Sequence, residues 1–247
     1  MDLGLTDRVY VVSGGSKGLG YATAECLVTE GAKVVVSART AEAVDAAVMR
    51  LGPSARGVVT DNADPSTGER LADAAIDAWG RVDGALVSVG GPPATAGLGA
   101  TDEQWQAAFE TVFLGAVRIT TAVTERLENG GAVALVLSTS AKSPIGGLAI
   151  SNGLRPGLAM WAKQVADELG PRNIRVVCLA PGRVLTDRTL TLTPDATDRE
   201  RIAAEIPLRR YGEPAEFGRV AAFVLSPAAS YLTGCVIPVD GGALRVL

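Results

Sequence analysis

The sequence predicts an α/β fold: a doubly wound parallel sheet of seven strands with helices on both faces, built by a single domain over residues 1–247. Three observations predict it. Short apolar runs alternate with helical stretches along the whole chain, as expected of strands that crossover helices bury on both faces. A glycine-rich turn, Gly14-x-x-x-Gly18-x-Gly20, joins the first apolar run to the first helix. No composition break, internal repeat or low-complexity linker divides the chain.

The elements follow in order. Val9–Val12 is the first strand, and the glycine turn opens a helix that runs to Glu30, where Gly31 ends it. Lys33–Ser37 reads as the second strand, Ala41–Leu51 as a helix, and Gly57–Thr60 as the third strand. Asp64-Pro65 is a helix-start signal, a capping side chain followed by proline, for a helix to Trp79. Ala85–Val89 is the fourth strand, and Thr101-x-x-Gln104 looks like a capping box opening a long helix to Leu127. Val133–Leu137 is the fifth strand, Asn152–Leu169 a helix, and Arg175–Leu179 the sixth strand. Leu185–Pro207 is polar and irregular, a loop or lid with a short helix. Pro214–Leu225 is a helix and Val236–Val239 the last strand.

Composition narrows the function classes. Hydrophobic residues make up 47% of 247, enough for a full core. The net charge of −4 argues against nucleic acid or an anionic membrane as partner. No uninterrupted apolar run reaches membrane-spanning length and no basic N-terminal region precedes one, so a cytoplasmic protein is expected. The chain has no histidine, which removes the commonest general acid/base and the commonest metal ligand together; no metal site is expected. Cys26, Cys178 and Cys235 lie far apart within apolar patterns, where packing is the simplest role.

The glycine turn carries the first chemistry. Glycines let the backbone turn tightly against a pyrophosphate, and the helix N-terminus adds unpaired N–H groups and partial positive charge. Gly14, Ser16, Lys17, Gly18, Leu19 and Gly20 are therefore candidate cofactor-binding residues. An acid at the end of strand two would hold the ribose hydroxyls of NAD(H) and repel a 2′-phosphate. Here that end reads Ser37-Ala38-Arg39, and Arg39 with Lys17 favours NADP(H) over NAD(H).

The Gly-x-x-x-Gly-x-Gly spacing resembles the short-chain dehydrogenase/reductase family, in its single-domain, Rossmann-like branch similar to the 3-oxoacyl-carrier-protein reductases. Asp61-Asn62 after strand three resembles that family's adenine contact. Pro181-Gly182-x-x-x-Thr186 after strand six is similar to its nicotinamide-holding segment. Ile206–Glu216 and Ser230–Gly234, leading to Val239-Asp240-Gly241-Gly242, resemble its C-terminal signatures. The resemblance implies hydride transfer between nicotinamide and a ketone or secondary alcohol. It also implies a homodimer or homotetramer paired through the helices near 102–127 and 152–169.

The family's proton machinery departs from that pattern. Its serine, seven residues after the glycine preceding strand five, falls on Ser138 when counted from Gly131. Its tyrosine, thirteen residues on, falls on Ser151, and its lysine on Arg155. Asn-Asn-Ala-Gly after strand four is here Ser88-Val89-Gly90-Gly91, with Gly90 kept beside the cofactor. The supporting asparagines of the long helix and of strand six fall on Val112 and Val177. An aliphatic hydroxyl is a far weaker acid than a phenol, so Ser151 relays a proton more readily than it supplies one. Arg155 keeps its charge, holds ribose hydroxyls and stabilises an alkoxide. Lys142, four residues past Ser138, is a further candidate, with Ser140 and Ser143 as flanking loop hydroxyls. Of the tyrosines, Tyr211 beside the lid is the one to check for a substitute acid.

Two readings follow. One is an NADP(H)-dependent oxidoreductase with a non-tyrosine proton path. The other is a non-catalytic NADP(H)-binding subunit or sensor, against which the retained Ser138 and Thr186 speak. Halohydrin dehalogenases share an arginine at this position, but the preserved glycine turn and the missing tyrosine do not fit them. The substrate pocket is expected from segments 90–99, 142–149 and 185–207.

Overall fold

Alternation along each strand sends successive side chains to opposite faces, and the first strand shows it directly. Val9 and Val11 enter one hydrophobic cluster, while Tyr10 and Val12 enter another on the far side of the sheet. The computed structural model describes residues 2–128 and 130–246. Its strands are β1 (Val9–Val12), β2 (Lys33–Ala38), β3 (Ala55–Val59), β4 (Gly84–Val87), β5 (Gly131–Val136), β6 (Ile174–Pro181) and β7 (Val236–Val239). They pair in the order β3-β2-β1-β4-β5-β6-β7, every pair parallel. Strand order reverses between β1 and β4, so a crevice opens there at the carboxyl ends of the strands.

Helices cover both faces. α1 (Gly18–Thr29), α2 (Ala41–Leu51) and α9 (Pro214–Leu225) pack on the cluster holding Tyr10, Leu27, Val34 and Phe217. α3 (Thr67–Trp79), α5 (Gly115–Arg126) and α6 (Ala149–Leu169) pack on the cluster holding Val9, Leu71, Ile119 and Leu158. The remaining helices are α4 (Asp102–Ala108), α7 (Asp187–Leu192) and α8 (Ala196–Glu205).

The Thr101 capping box forms: Gln104 N–H donates to Thr101 Oγ1 at 3.3 Å, and Thr101 N–H donates to Gln104 Oε1 at 3.1 Å. The long helix predicted after it is not uniform. α4 and α5 are joined by a π turn over Phe109–Leu114, a form common at functional sites. This helical run is long and apolar enough to cross a membrane by composition, with an 18-residue window of mean hydropathy 1.2. Half of that window is buried inside the fold, where Val112, Ala116, Ile119 and Val123 meet the sheet.

Helix starts differ from expectation at α3 and in the 185–207 segment. Asp64 does not cap α3; its carboxylate accepts from Ser66 N–H and Ser66 Oγ, both at 2.9 Å, closing an Asx turn before the helix begins at Thr67. The 185–207 segment forms two short helices, not one. Thr186 caps α7 and Asp195 caps α8, so two polar caps divide what reads as one irregular stretch.

Candidate active site

The crevice between β1 and β4 is built first by the glycine turn. Ser13, fully buried, donates to the Ser88 carbonyl at 3.2 Å and accepts from Ser88 N–H at 2.9 Å, tying the turn to the chain after β4. Gly14 N–H donates to Ser37 Oγ and Gly15 N–H to the Ser37 carbonyl, tying it to β2. Gly14 and Gly18 have φ of 60° and 55°, which favours glycine. A Cβ on Gly20 would lie 2.3 Å from the Gly14 carbonyl oxygen. α1 opens at Gly18, and Lys17 at its N-cap gives no side-chain cap, so the first N–H groups stay open to a ligand. Ser16 and Leu19 are half-buried within this turn.

Arg39 follows β2, exposed, with no carboxylate partner among the described residues. Lys17 does not stand free beside it, as expected, but pairs with Asp187 of α7 at 3.6 Å. Both side chains are about three-quarters exposed, so the pair is weak and easily exchanged. Asp61 is exposed and accepts from Ala63 N–H at 2.9 Å. Asn62 Nδ2 reaches the Ser88 carbonyl at 3.5 Å, joining the end of β3 to the end of β4.

On the other side of the crevice, β5 and α6 gather three hydroxyls and an arginine. Ser138 lies just after β5 and caps a short 3-10 turn, accepting from Ser140 N–H at 3.1 Å. Its own O–H has no partner among the described residues and is free to donate. Ser140 is not a loop hydroxyl, as its position implied. It is buried, and its Oγ lies 2.9 Å from Ser151 Oγ. α6 begins at Ala149, three residues before its expected start, which puts Ser151 and Arg155 in its opening turns.

Arg155 is 3% exposed and has no carboxylate partner among the described residues. Its Nη1 donates to the Val136 carbonyl at 2.7 Å and its Nη2 to the Gly90 carbonyl. The guanidinium thus clamps the ends of β5 and β4 together. Its Nε is buried with no partner among the described residues. Burial, with Arg188 adding repulsion, pushes its pKa down to about 10.

The apolar replacements divide by face. Val89 and Val112 are buried in the same cluster as Ile150 and Leu154. Val177 lies in the opposite cluster with Val136 and Phe217, away from Val89 and Val112. Lys142 is exposed and its side chain makes no bond among the described residues. No tyrosine joins the hydroxyl cluster. Tyr10 donates to the Leu225 carbonyl, Tyr21 lies under Arg50, and Tyr231 is fully exposed. Tyr211 lines a groove of about 890 Å³ with Arg210 and Glu216 between α8 and α9.

The three segments expected around a substrate do meet. Thr95 pairs with Leu148 in a parallel bridge, with Thr95 N–H donating to Gly147 at 2.9 Å. Arg188 Nη1 donates to the Gly91 carbonyl at 3.0 Å and Nη2 to Pro92 at 2.7 Å. Gly182 N–H donates to Val239, placing Pro181-Gly182 against β7. The Thr186 methyl lies 3.5 Å from where a Gly18 Cβ would sit, so α7 borders the glycine turn.

Comparison with known proteins agrees with this architecture. Residues 14–243 match the family described as enoyl-(acyl carrier protein) reductase. Dehydrogenase/reductase SDR family member 4 of Oryctolagus cuniculus is 34% identical over 245 residues, 97% of this chain and 94% of that protein. Its Homo sapiens counterpart is 34% identical over 244 residues, 96% of this chain and 88% of that protein. L-sorbose reductase from Gluconobacter frateurii, solved with NADPH and L-sorbose, superposes with a TM-score of 0.94 at 30% identity, covering 100% of both chains. A seven-stranded parallel sheet with its glycine turn at the β1/β4 crevice, and relatives matched along nearly their whole length, together establish that the chain belongs to the short-chain dehydrogenase/reductase family.

Proposed function

We propose that this chain is an NADP(H)-dependent oxidoreductase acting on a ketone or secondary alcohol, with its proton carried by the Ser140–Ser151 hydroxyl pair instead of a tyrosine. The observation that carries the reading is the buried 2.9 Å contact between those hydroxyls, beside Ser138 and Arg155, at the same sheet edge as the glycine turn. A scaffold that only bound dinucleotide has no need of an oxygen-polarising serine such as Ser138.

The residues fit the dinucleotide. The turn is folded so tightly that a Cβ at Gly14 would meet the Ser88 carbonyl and one at Gly20 the Gly14 carbonyl, the α1 N-terminus is uncapped, and the space beside Gly90 is open. Arg155 Nε is a buried donor awaiting an acceptor such as a ribose hydroxyl. Gly14, Ser16, Gly18, Leu19 and Gly20 would hold the pyrophosphate, Asp61 and Asn62 the adenine, and Pro181, Gly182 and Thr186 the nicotinamide. Arg39 would hold the 2′-phosphate, joined by Lys17 once it leaves Asp187. NADPH, when bound, supplies the hydride.

Around the substrate, Ser138 donates its free O–H to the carbonyl oxygen. The charge of Arg155 lowers the energy of the alkoxide that develops there. Ser151 passes a proton to that oxygen and is reloaded through Ser140 from water, each hydroxyl giving one proton as it receives another, and the hydroxide so formed is neutralised in bulk solvent. Val89, Val112 and Ile150 keep the neighbouring wall dry, which strengthens the electrostatic contribution. α7 and α8 act as the lid. Phe109 and Met160, exposed on the π turn and on α6, support pairing of copies through these helices as a dimer or tetramer.

The cofactor assignment is tested by fluorescence titration with NADPH and NADH. NADPH is expected to bind more tightly, and Arg39→Asp to erase that preference by about tenfold or more, the worth of one charge-assisted bond. Equal affinities in the wild type would overturn it.

A further inference from the structure

We propose that the substrate is an acid, and that Arg188 holds its carboxylate or phosphate at the rim formed by Gly90, Gly91 and Pro92. The inference rests on the oxidoreductase reading above and names the substrate class for that site.

Two guanidinium groups converge on three consecutive backbone carbonyls. Arg155 donates to Gly90, and Arg188 to Gly91 and Pro92. Neither has a carboxylate partner among the described residues. Some arginines elsewhere pair with acids, as Arg81 does with Asp83 and Arg210 with Glu216, and others, such as Arg175 and Arg199, bond carbonyls alone; Arg155 and Arg188 differ in sharing one short stretch of backbone. Two cations that lack a counter-ion, one of them buried, make an arrangement that an entering anion relieves.

The seat for Arg188 is built. The Arg188 guanidinium lies flat against Gly91, where a Cβ would meet its Cζ at 2.6 Å and push the exposed side chain aside. Its two carbonyl contacts use two of five N–H donors, which leaves three for an oxyanion. Burial draws the Arg188 pKa down, and Arg188 in turn draws down that of Arg155; an anion reverses both. The residues on either side of Arg188 are engaged elsewhere, Asp187 with Lys17 and Thr189 with Thr186. The fork itself is held in the opening turn of α7 by its two carbonyl bonds. A dinucleotide's pyrophosphate is an alternative anion, but the uncapped α1 N-terminus already serves that group.

The test compares matched ketones, 2-oxobutyrate with 2-oxobutyramide and dihydroxyacetone phosphate with dihydroxyacetone, in the NADPH-loaded protein. In at least one pair the acid is expected to lead in kcat/KM by about tenfold or more, as one charge-assisted contact provides. Arg188→Gln is expected to collapse that ratio, and Arg188→Lys to keep part of it by retaining charge without the fork. Calorimetric titration with oxamate and oxamide, with and without NADP+, reads the same preference without turnover. No turnover together with an oxamate preference that Arg188→Gln removes would overturn the oxidoreductase reading and support the anion seat. Equal binding of oxamate and oxamide, or a variant that loses NADPH affinity but keeps the acid-to-neutral ratio, would overturn the anion seat.

Discussion

Arg155→Met is expected to lower kcat/KM by about a hundredfold or more while leaving thermal stability close to that of the wild type. The two halves of this result have different origins. Arg155 is buried with no acid among the described residues, so its charge is held at a desolvation cost that methionine removes. Against that stand its bonds to the Val136 and Gly90 carbonyls, which methionine leaves unpaired. Bonds from a charged donor contribute about 1.5–3 kcal/mol each, of the same order as the charge's own burial cost. Function has no such compensation, because methionine offers no charge for the alkoxide. Arg155→Lys retains the charge but not the double clamp, so intermediate turnover is expected. Burial draws the Arg155 pKa down to about 10, which still leaves the guanidinium cationic at neutral pH. Thermal melts beside NADPH-depletion rates check all of this; a deep loss of stability in Arg155→Met with unaltered turnover per folded molecule would make Arg155 a structural clamp alone.

Gly20→Ala is expected to weaken NADPH binding by about a hundredfold and to destabilise the fold by about 1–3 kcal/mol, the usual range for an overpacked site. The added methyl would sit 2.3 Å from the Gly14 carbonyl oxygen and 3.0 Å from its carbon. Relief requires the turn to open, which moves the N–H groups at the start of α1. Gly170→Ala is the control, since a Cβ there meets nothing within 4 Å. Dinucleotide titration and denaturant unfolding of the two variants check the contrast. Equal behaviour would mean that close backbone approach in the turn does not set affinity.

The fold was legible because its signals are local. Alternating apolar runs, the glycine turn and the Thr101 capping box each depend on residues a few positions apart, and each forms. Asp64 shows the limit of that reasoning: one carboxylate serves a helix cap or an Asx turn, and only the backbone conformation decides. Val177 was within reach. Its neighbours Val176 and Cys178 fall in one cluster and Val177 in the other, as strand parity requires.

The site was legible only in part. Ser138, Ser151 and Arg155 can be counted from strand five. The Ser140–Ser151 contact depends on how the chain between β5 and α6 folds back, and nothing in the residues near Ser140 announces it. Arg188 meets Gly91 across 97 positions, and Lys17 turns toward Asp187 across a still longer gap. Such pairings become visible only when α7 is placed against these segments.

The most direct measurement is NADPH oxidation by the wild-type protein and by a Ser140→Ala/Ser151→Ala double variant, side by side, against a panel of carbonyl substrates. The proton path assigned to these hydroxyls requires turnover in the wild type. It also requires a loss of about a hundred- to ten-thousandfold in kcat in the variant, the range for removal of a proton-transfer group, with NADPH affinity preserved. Equal rates in the two proteins would contradict the hydroxyl path, and tight NADPH binding without oxidation by any carbonyl would contradict catalysis itself.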